Sequence, residues 1–245
     1  EAVMPALTGH QEAITSACLS PDEKLIASAS KDNTIILWNW QKGKIVQRLS
    51  GHTHDVNAVS FSSSGKYLVS ASTDSTIKVW DLDKGEEYRT FSSKTNFLTA
   101  AFSQNQKQII SSSRDSLFVW DIESGNMAVD FPIFSHNATE VTFSNNDAYL
   151  LGVSPEAGIT IWDRESRKEI KTYFSQVASP TCMNFSSDGA YMLAGGNNHQ
   201  MVLWQNVTNL SDLPLINQIT SFLPPEERRR YQIRPYDWTN LFSQP

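Results

Sequence analysis

Short apolar segments alternate with polar turns along most of the chain. Residues 50–91 show this most clearly, with alternating runs at Val56–Phe61, Tyr67–Ser72 and Ile77–Trp80. Alternation with a period of two places side chains on the two faces of a β-strand in turn. The runs last four to seven residues and are rich in Val, Ile, Phe and Ser, which excludes helices. A fourth strand is predicted at Glu86–Phe91.

Polar segments with the composition of tight turns separate these strands. In residues 50–91 they lie at 64–66, 73–75 and 84–86, and the preceding unit has them at 21–23, 31–33 and 42–44. Such short polar or glycine-containing connections join antiparallel neighbours. The sequence therefore predicts units of four strands, which we name a, b, c and d in chain order.

Tryptophans mark a repeat of about forty residues. The spacings are 42, 40, 42 and 42 residues, and each tryptophan ends a predicted strand c: Trp38, Trp80, Trp120, Trp162 and Trp204. A period near forty is typical of one four-stranded propeller blade or of a helix pair, and the alternation favours the blade. The predicted units span about 9–49, 50–91, 92–131, 132–174 and 175–222. A C-terminal tail at 223–245 is predicted to contain a short helix.

The ends of these units carry a second signature. Gly9-His10 and Gly51-His52 each place the histidine 28 residues before a tryptophan, and Trp-Asp occurs at 80–81, 120–121 and 162–163. These motifs resemble the WD40-repeat family of β-propellers over about residues 1–221. The resemblance implies an all-β propeller of four-stranded antiparallel blades. Five blades and an extra N-terminal d-type strand at 3–7 are expected, as part of a seven-bladed ring.

The resemblance also implies a hydrogen-bonded tetrad in each blade, made by the histidine, a strand-b serine, the b–c turn aspartate and the tryptophan. The matching residues in the first blade are His10, Ser28, Asp32 and Trp38, and in the second His52, Ser70, Asp74 and Trp80. The third blade lacks the histidine and has Ser111, Asp115 and Trp120. A partly buried histidine and aspartate need hydrogen-bond partners, which an indole N–H and a hydroxyl supply. We expect these residues to be structural, and blades three to five to depend more on apolar packing.

Composition narrows the classes of partner. The 245 residues carry a net charge of −6, which argues against a broad phosphate-binding surface. Cys18 and Cys182 are too few and too distant for a disulfide framework and are predicted to be buried free thiols. The start of the chain lacks a secretory signal and no apolar run reaches 18 residues, so we expect a cytoplasmic or nuclear protein that needs no membrane.

No catalytic motif, cofactor motif or metal-ligand set is present, and His52 and His54 lack a third ligand. In the family that the chain resembles, residues just before the b–c turn aspartate face the top of the ring. Here they are Lys31, Thr73, Arg114, Pro155 and Asn197. Lys31 and Arg114 suit an acidic or phosphorylated peptide, and plain solvated loop residues are the alternative.

We therefore expect a non-enzymatic protein–protein interaction scaffold whose partners dock on the propeller face. A regulatory or targeting region of a larger enzyme, with the catalytic part upstream, is the alternative. A less favoured one is an RNA-associated propeller that uses Arg228–Arg230. The missing blades are expected from the rest of a longer chain, and a ring completed by another chain or by an unusual closure is the alternative. The tail aromatics Tyr231, Tyr236, Trp238 and Phe242 are expected to pack on the propeller or in a partner's groove.

Overall fold

The structure, a computed structural model, describes residues 6–114, 116–131, 138–144, 147–155, 158–173, 180–185, 191–196 and 201–205. These residues form 19 β-strands in five separate antiparallel sheets. No helix occurs among them, and so none that could cross a membrane. The all-β prediction is confirmed.

The first two sheets each contain four strands in sequence order, so each is one blade. Blade 1 consists of β1 (Ile14–Leu19), β2 (Leu25–Ser30), β3 (Thr34–Asn39) and β4 (Lys44–Ser50). Blade 2 consists of β5 (Val56–Phe61), β6 (Tyr67–Ser72), β7 (Thr76–Asp81) and β8 (Glu86–Ser92). The period-two alternation therefore predicted the strands of blade 2 to within one residue at each end.

The next three sheets repeat the plan. Blade 3 is β9 (Thr99–Phe102), β10 (Gln108–Ser112), β11 (Leu117–Asp121) and β12 (Met127–Phe131). Blade 4 is β13 (Glu140–Phe143), β14 (Tyr149–Ser154), β15 (Gly158–Asp163) and β16 (Glu169–Tyr173). Blade 5 has β17 (Pro180–Phe185), β18 (Tyr191–Gly196) and β19 (Met201–Gln205) among the described residues. Its predicted fourth strand, at 215–222, and the tail helix lie outside them.

The turns recur with the same backbone conformation. The a–b turns place Glu23, Gly65, Gln106 and Asp147 at φ of 57–72°, and the c–d turns place Gly43, Gly85, Gly125 and Arg167 at φ of 58–75°. A positive φ favours glycine, which explains the glycine in three c–d turns. Each of the first four blades also has a register shift beside its tryptophan, where strand d carries one extra residue. The repeated bulges bend strand d in the same way in each blade.

Apolar cores lie between the blades rather than within them. The core between blades 1 and 2 joins Ala27, Ala29, Ile35 and Leu37 to Val56, Val59, Leu68 and Trp80. We call the side of a blade that packs on the next blade its back face and the side that carries the tryptophan its front face. The same arrangement joins blades 2 and 3 and blades 3 and 4. Each blade therefore depends on its neighbours for burial.

Two predictions concern single segments, and the structure describes the first of these segments only in part. Of the predicted strand at 3–7, only Ala6 and Leu7 are described, and neither belongs to a strand. Both cysteines are free and lie in strands, but Cys18 is half-buried and Cys182 is exposed, so the prediction of two buried thiols is wrong. Alternation places Cys182 on a strand face, but whether a neighbour covers that face is decided by the packing of blades.

Candidate functional site

The residues of the first predicted tetrad form a continuous hydrogen-bonded chain. Trp38 Nε1 donates to Ser28 Oγ at 2.7 Å, and Ser28 Oγ lies 2.8 Å from His10 Nε2. His10 Nδ1 lies 2.9 Å from Asp32 Oδ2. Because the carboxylate only accepts, the His10 proton is assigned to Nδ1, and Ser28 then donates to Nε2. The histidine and aspartate side chains are only 4% and 7% exposed.

Blade 2 repeats this geometry. Trp80 Nε1 donates to Ser70 Oγ at 2.9 Å, Ser70 Oγ lies 2.7 Å from His52 Nε2, and His52 Nδ1 lies 2.8 Å from Asp74 Oδ2. The His52 and Asp74 side chains are 1% and 4% exposed. Since water cannot reach these groups, the chain of hydrogen bonds ties the front face of the blade together and offers no reaction site.

Each tetrad has a fifth member, a threonine, that was not predicted from the sequence. The hydroxyls of Thr34 and Thr76 each donate to the turn aspartate at 2.6 Å, and their backbone N–H groups donate to the same oxygen at 3.0 and 2.9 Å. The intervening Asn33 and Ser75 adopt a φ of 66°. The signal was the Asp-x-Thr spacing, in which an aspartate caps its own turn.

The glycine of Gly-His is required by the tryptophan ring. A Cβ added at Gly9 would lie 2.8 Å from Trp38 Cη2 and 2.9 Å from Ile45 Cδ1. At Gly51 the corresponding distance to Trp80 Cη2 is 3.1 Å. The segment before strand a can therefore cover the indole only without a side chain at this position, which leaves the histidine ring edge-on to the tryptophan at 6.1–6.2 Å between centroids.

Blade 3 keeps part of the tetrad. Trp120 Nε1 donates to Ser111 Oγ at 2.8 Å, whereas Asp115 lies outside the described residues. The ring that meets Trp120 edge-on is Phe97, at 5.9 Å between centroids, and Phe97 is fully buried. An apolar ring thus packs on Trp120 as a histidine does in the first two blades. In blade 4, Gly152 stands opposite Thr160 in place of the serine, and Trp162 is still 5% exposed.

Blade 2 also contains an ion pair between a buried lysine and an exposed glutamate, which the sequence did not reveal. Lys78 Nζ lies 2.6 Å from Glu87 Oε2 and donates to Thr90 Oγ1 at 2.9 Å, and Lys78 is 8% exposed. The positions 42 residues earlier are Ile36 and Ile45. Both positions are therefore apolar in blade 1, whereas blade 2 has a base at one and an acid at the other. Residues that contact each other across neighbouring strands are often matched in this way.

The environment shifts the pKa values of the tetrad groups. Burial by itself raises the pKa of Asp74, but hydrogen bonds from Thr76, Thr53 and His52 outweigh it and lower that pKa to about 2. Asp32 is shifted in the same direction by the same kind of contacts. Burial lowers the pKa of His52 below its usual 6.5 against the opposing effect of Asp74. Near pH 7, His52 is therefore neutral and Asp74 is charged.

The predicted partner-binding positions lie in b–c turns. Lys31 and Arg114 are exposed, Pro155 is half-buried, and Asn197 lies outside the described residues. Thr73 is half-buried, and its hydroxyl and backbone N–H both donate to Asp55 O, at 3.3 and 3.0 Å. We call the edge that carries the b–c turns and the loops before strand a the top edge. The a–b and c–d turns lie at the opposite, bottom edge.

Sequence reasoning also missed Lys94, in the loop before strand a of blade 3. This loop packs on the b–c turn of blade 2, since Ser93 N donates to Ser75 O at 3.1 Å and Ser75 Oγ donates to Asn96 Oδ1 at 3.1 Å. Lys94 is exposed between these contacts. The repeat pattern did not predict a role for Lys94, because this loop stands where the earlier blades have the Gly-His segment.

The described residues give no support for metal chemistry. Within the ranges that the structure covers, no three His, Cys, Asp or Glu side chains are grouped so as to hold a metal ion. The His52 ring is engaged by Ser70 and Asp74, and exposed His54 Nδ1 lies 3.2 Å from Thr53 Oγ1. The polar groups of the blades are therefore used in structural hydrogen bonds, and the top edge is the candidate binding surface.

Comparison with known proteins agrees with the blade geometry. The family model described as the IFT122 first β-propeller matches residues 1–219. The chain belongs to this family of WD40-repeat β-propellers. Members of the WD40 family are in general non-enzymatic scaffolds for protein interactions. The number of blades in the complete ring stays a prediction.

Three curated relatives share the repeat. The chain is 28% identical over 197 residues to Pre-mRNA-processing factor 19 homolog 2 of Arabidopsis thaliana, covering 78% of this chain and 37% of that protein. It is 22% identical over 107 residues to Apoptotic protease-activating factor 1 of Danio rerio, covering 43% and 8%. It is 42% identical over 38 residues to Nuclear distribution protein PAC1 of Coprinopsis cinerea, covering 16% and 9%. The chain thus spans between 8% and 37% of the length of these relatives.

Proposed function

We propose that the chain is a protein-interaction scaffold without catalytic activity of its own, and that its top edge binds an acidic or phosphorylated segment of a partner protein. The observation that carries this proposal is a group of exposed cations on that edge. Lys31 lies in blade 1, Lys94 in the loop that packs on blade 2, and Arg114 in blade 3.

No ion pair engages these cations within the ranges that the structure describes. The ion pairs found there join carboxylates to His10, Lys24, His52 and Lys78, and to no cation of the top edge. On a protein with a net charge of −6, these three exposed bases are available to bind an anionic ligand at this edge. Lysine and arginine bind carboxylates and phosphates through charge-assisted hydrogen bonds, which supports an acidic or phosphorylated ligand.

Charge reversal on matched edges tests the proposal. The double variant Lys31→Glu/Arg114→Glu is compared with Lys84→Glu/Lys107→Glu, which places the same charge change on exposed turns of the bottom edge. Binding to a glutamate-rich peptide and to a serine-phosphorylated peptide is measured by fluorescence anisotropy at two salt concentrations. We expect the top-edge variant to lose at least about tenfold in affinity and the bottom-edge variant to bind as the wild type does.

Two outcomes would overturn this assignment. Equal losses in both double variants would show that net charge alone governs binding. Wild-type binding in the top-edge variant would remove Lys31 and Arg114 from the surface. A pull-down with the same three proteins then reports which natural partners depend on the top edge.

We further infer that another blade of a longer chain covers the front face of blade 1. Ile14 is 56% exposed, whereas Val56, at the same position in blade 2, is fully buried against blade 1. Leu19 is 48% exposed, and its counterpart Phe143 in blade 4 is 2% exposed. Hydrogen exchange of β1 in the full-length protein tests the inference, because a covering blade slows exchange there and an open face does not.

A further inference from the structure

The c–d hairpin of blade 1 differs in charge from the hairpins at the same place in the next three blades. Residues 39–48 contain three bases, Lys42, Lys44 and Arg48, and no acid. In blade 2, residues 81–90 contain four acids and two bases, and the hairpins of blades 3 and 4, at 121–130 and 163–172, contain three acids each. We call residues 39–48 the basic hairpin. It is a local concentration of positive charge on a chain with a net charge of −6.

The turn of the basic hairpin keeps its structure without an acid. In blades 2, 3 and 4 the aspartate after the tryptophan accepts a hydrogen bond from a backbone N–H of the c–d turn, at 3.2, 2.7 and 2.7 Å. In blade 1, Asn39 Oδ1 accepts the corresponding bond from Lys42 N at 2.9 Å. An amide oxygen therefore replaces the carboxylate as acceptor, and the turn requires no charge.

The cations of the basic hairpin are available to a ligand. Lys42, Lys44 and Arg48 are all exposed, and none of the ion pairs within the described ranges involves them. The Arg48 guanidinium donates to Gly9 O at 2.9 Å and to Thr34 Oγ1 at 3.1 Å, so the fold holds it in place. The two lysines are thus the cations best placed to pair with a ligand.

Two exposed apolar side chains lie next to these lysines on β4, the outermost strand of the blade. Ile45 is 44% exposed and Val46 is 56% exposed. The residues at the same positions in blades that have a neighbour on both sides are Met127, 48% exposed, and Tyr88, 47% exposed. The exposure therefore comes from the position of the outer strand, and a further blade packed on blade 1 would not explain it away.

We propose that the basic hairpin binds an acidic segment of a partner protein. Apolar side chains of that segment pack on Ile45 and Val46, and its carboxylates pair with Lys42 and Lys44. Charge complementarity supports this occupant, since a lysine and a carboxylate form charge-assisted hydrogen bonds and contact with the apolar side chains removes them from water. The c–d turn lies at the bottom edge, so this surface is separate from the cations of the top edge.

The charge and size of the basic hairpin favour a protein segment over a membrane. Stable binding to an anionic membrane takes a cluster of about four to eight bases, or a lipid chain in addition to fewer bases. The basic hairpin has three bases, and the rest of the chain has a net negative charge, which such a membrane repels. A short acidic segment contacts the hairpin alone and avoids that repulsion.

Charge reversal in the hairpin tests the proposal. The variant Lys42→Glu/Lys44→Glu of the whole chain is compared with Lys84→Glu/Lys107→Glu, which makes the same charge change on exposed turns of blades 2 and 3. The ligand is a fluorescein-labelled peptide of about 12 residues that alternates glutamate with leucine, and fluorescence anisotropy measures its affinity. We expect a loss of at least about tenfold in the hairpin variant and wild-type affinity in the control.

The apolar contact is tested separately. Val46→Ser should weaken the same peptide at least about threefold, whereas Tyr88→Ser, the same change of an exposed residue at the same position of blade 2, should leave its affinity unchanged. A peptide that alternates glutamate with serine should bind the wild type more weakly than the leucine peptide. Circular dichroism of each variant confirms that the sheets remain folded.

A top-edge variant keeps this proposal distinct from the proposed function. Lys31→Glu/Arg114→Glu should bind the leucine peptide as the wild type does, because neither residue lies in the basic hairpin. A loss in this variant alone would assign the peptide to the top edge and overturn the proposal.

Four other results would overturn it as well. Wild-type affinity in Lys42→Glu/Lys44→Glu would remove both lysines from the surface. Equal losses in that variant and in Lys84→Glu/Lys107→Glu would show that net charge alone governs binding. Equal affinities for the leucine and serine peptides would show that Ile45 and Val46 contact no ligand. If vesicles of phosphatidylserine and phosphatidylcholine bind the wild type but not the hairpin variant, while neither peptide binds, the surface belongs to a membrane.

Discussion

At the scale of single residues, the buried polar groups of the tetrads in blades 1 and 2 are each matched to a partner. His52 and Asp74 would be costly in an apolar interior, yet both ring nitrogens and both carboxylate oxygens are hydrogen-bonded. The Lys78–Glu87 pair shows the same rule, since blade 1 has Ile36 and Ile45 at those positions. A change to one member therefore leaves the others unsatisfied.

Removal of the turn aspartate tests this dependence. In Asp74→Ala, the backbone N–H groups of Thr53 and Thr76 and the ring N–H of His52 lose their acceptor. We expect the free energy of unfolding to fall by about 1–3 kcal/mol, measured by urea denaturation. Asp83→Ala is the control, because Asp83 is exposed in a c–d turn, and it should have little effect. Equal stability of Asp74→Ala and wild type would contradict a structural tetrad.

At the scale of elements, the turns and bulges fix how each blade meets the next. Gly85, in the c–d turn of blade 2, has a φ of 73°, and the side-chain amide of Gln47 from blade 1 occupies the space where its Cβ would be. Gly125 has the same relation to Arg89 of blade 2. The sequence predicted the turn at 84–86 that contains Gly85. Only the packing shows that the turn also receives a side chain from the preceding blade.

Alanine variants in the a–b turn and in the c–d turn of blade 2 separate backbone strain from displacement of Gln47. Gly65→Ala introduces strain from a φ of 72° with an ordinary contact of 3.6 Å to Pro21 Cδ, and should destabilise by about 1 kcal/mol. Gly85→Ala adds displacement of Gln47, and we expect about 1 kcal/mol more. In a Gln47→Ala background the excess should disappear. If the two alanine variants are equally destabilised in the wild-type background, Gln47 does not pack in the turn.

At the scale of the whole molecule, contacts between blades join separate sheets into one structure. Asp147 of blade 4 accepts hydrogen bonds from Gln104 N and Asn105 N of blade 3 at 2.8 and 3.1 Å, and Asn57 of blade 2 donates to Phe97 O at 2.6 Å. Because each apolar core is shared by two blades, the loss of one tetrad weakens two interfaces. We therefore expect the protonation of a tetrad group to change the free energy of unfolding of the whole molecule.

The pH dependence of unfolding tests that expectation. The folded-state pKa of Asp74, about 2, lies below its usual value of 3.8, so its stabilisation is complete above about pH 5 and is lost as the pH falls toward 2. The lowered pKa of His52 acts in the same direction, with full stabilisation above about pH 6.5. Urea denaturation should show lower stability at pH 3 than at pH 7.

A matched variant isolates the aspartate from other titrating groups. Glu140 has a pKa raised by burial and opposes the trend, since its folded form favours the proton. The stability difference between wild type and Asp74→Asn removes this contribution. We expect the difference to be largest above pH 5 and to shrink toward pH 2, where Asp74 is itself protonated. A difference that is constant with pH would show that Asp74 is uncharged in the folded protein.

Much of the fold followed from the sequence, but less of the site did. Strands such as Tyr67–Ser72 were predicted because alternation is a local property of neighbouring residues. The bulges beside the tryptophans of blades 1 to 4 and the Lys78–Glu87 pair were missed, since both depend on register between strands. Lys94 was missed because its loop breaks the repeat and gains its place only by packing on the Ser75 turn.

The sequence by itself determined the repeat, the four-stranded unit and the tetrad residues, because each is set by residue type at short and regular spacing. Only the tertiary structure decided which apolar faces are covered, since burial depends on the neighbouring blade. Ile35 and Met201 occupy the same position in their strands, yet one is fully buried and the other is 75% exposed. The difference lies in what packs against each blade, which no local pattern encodes.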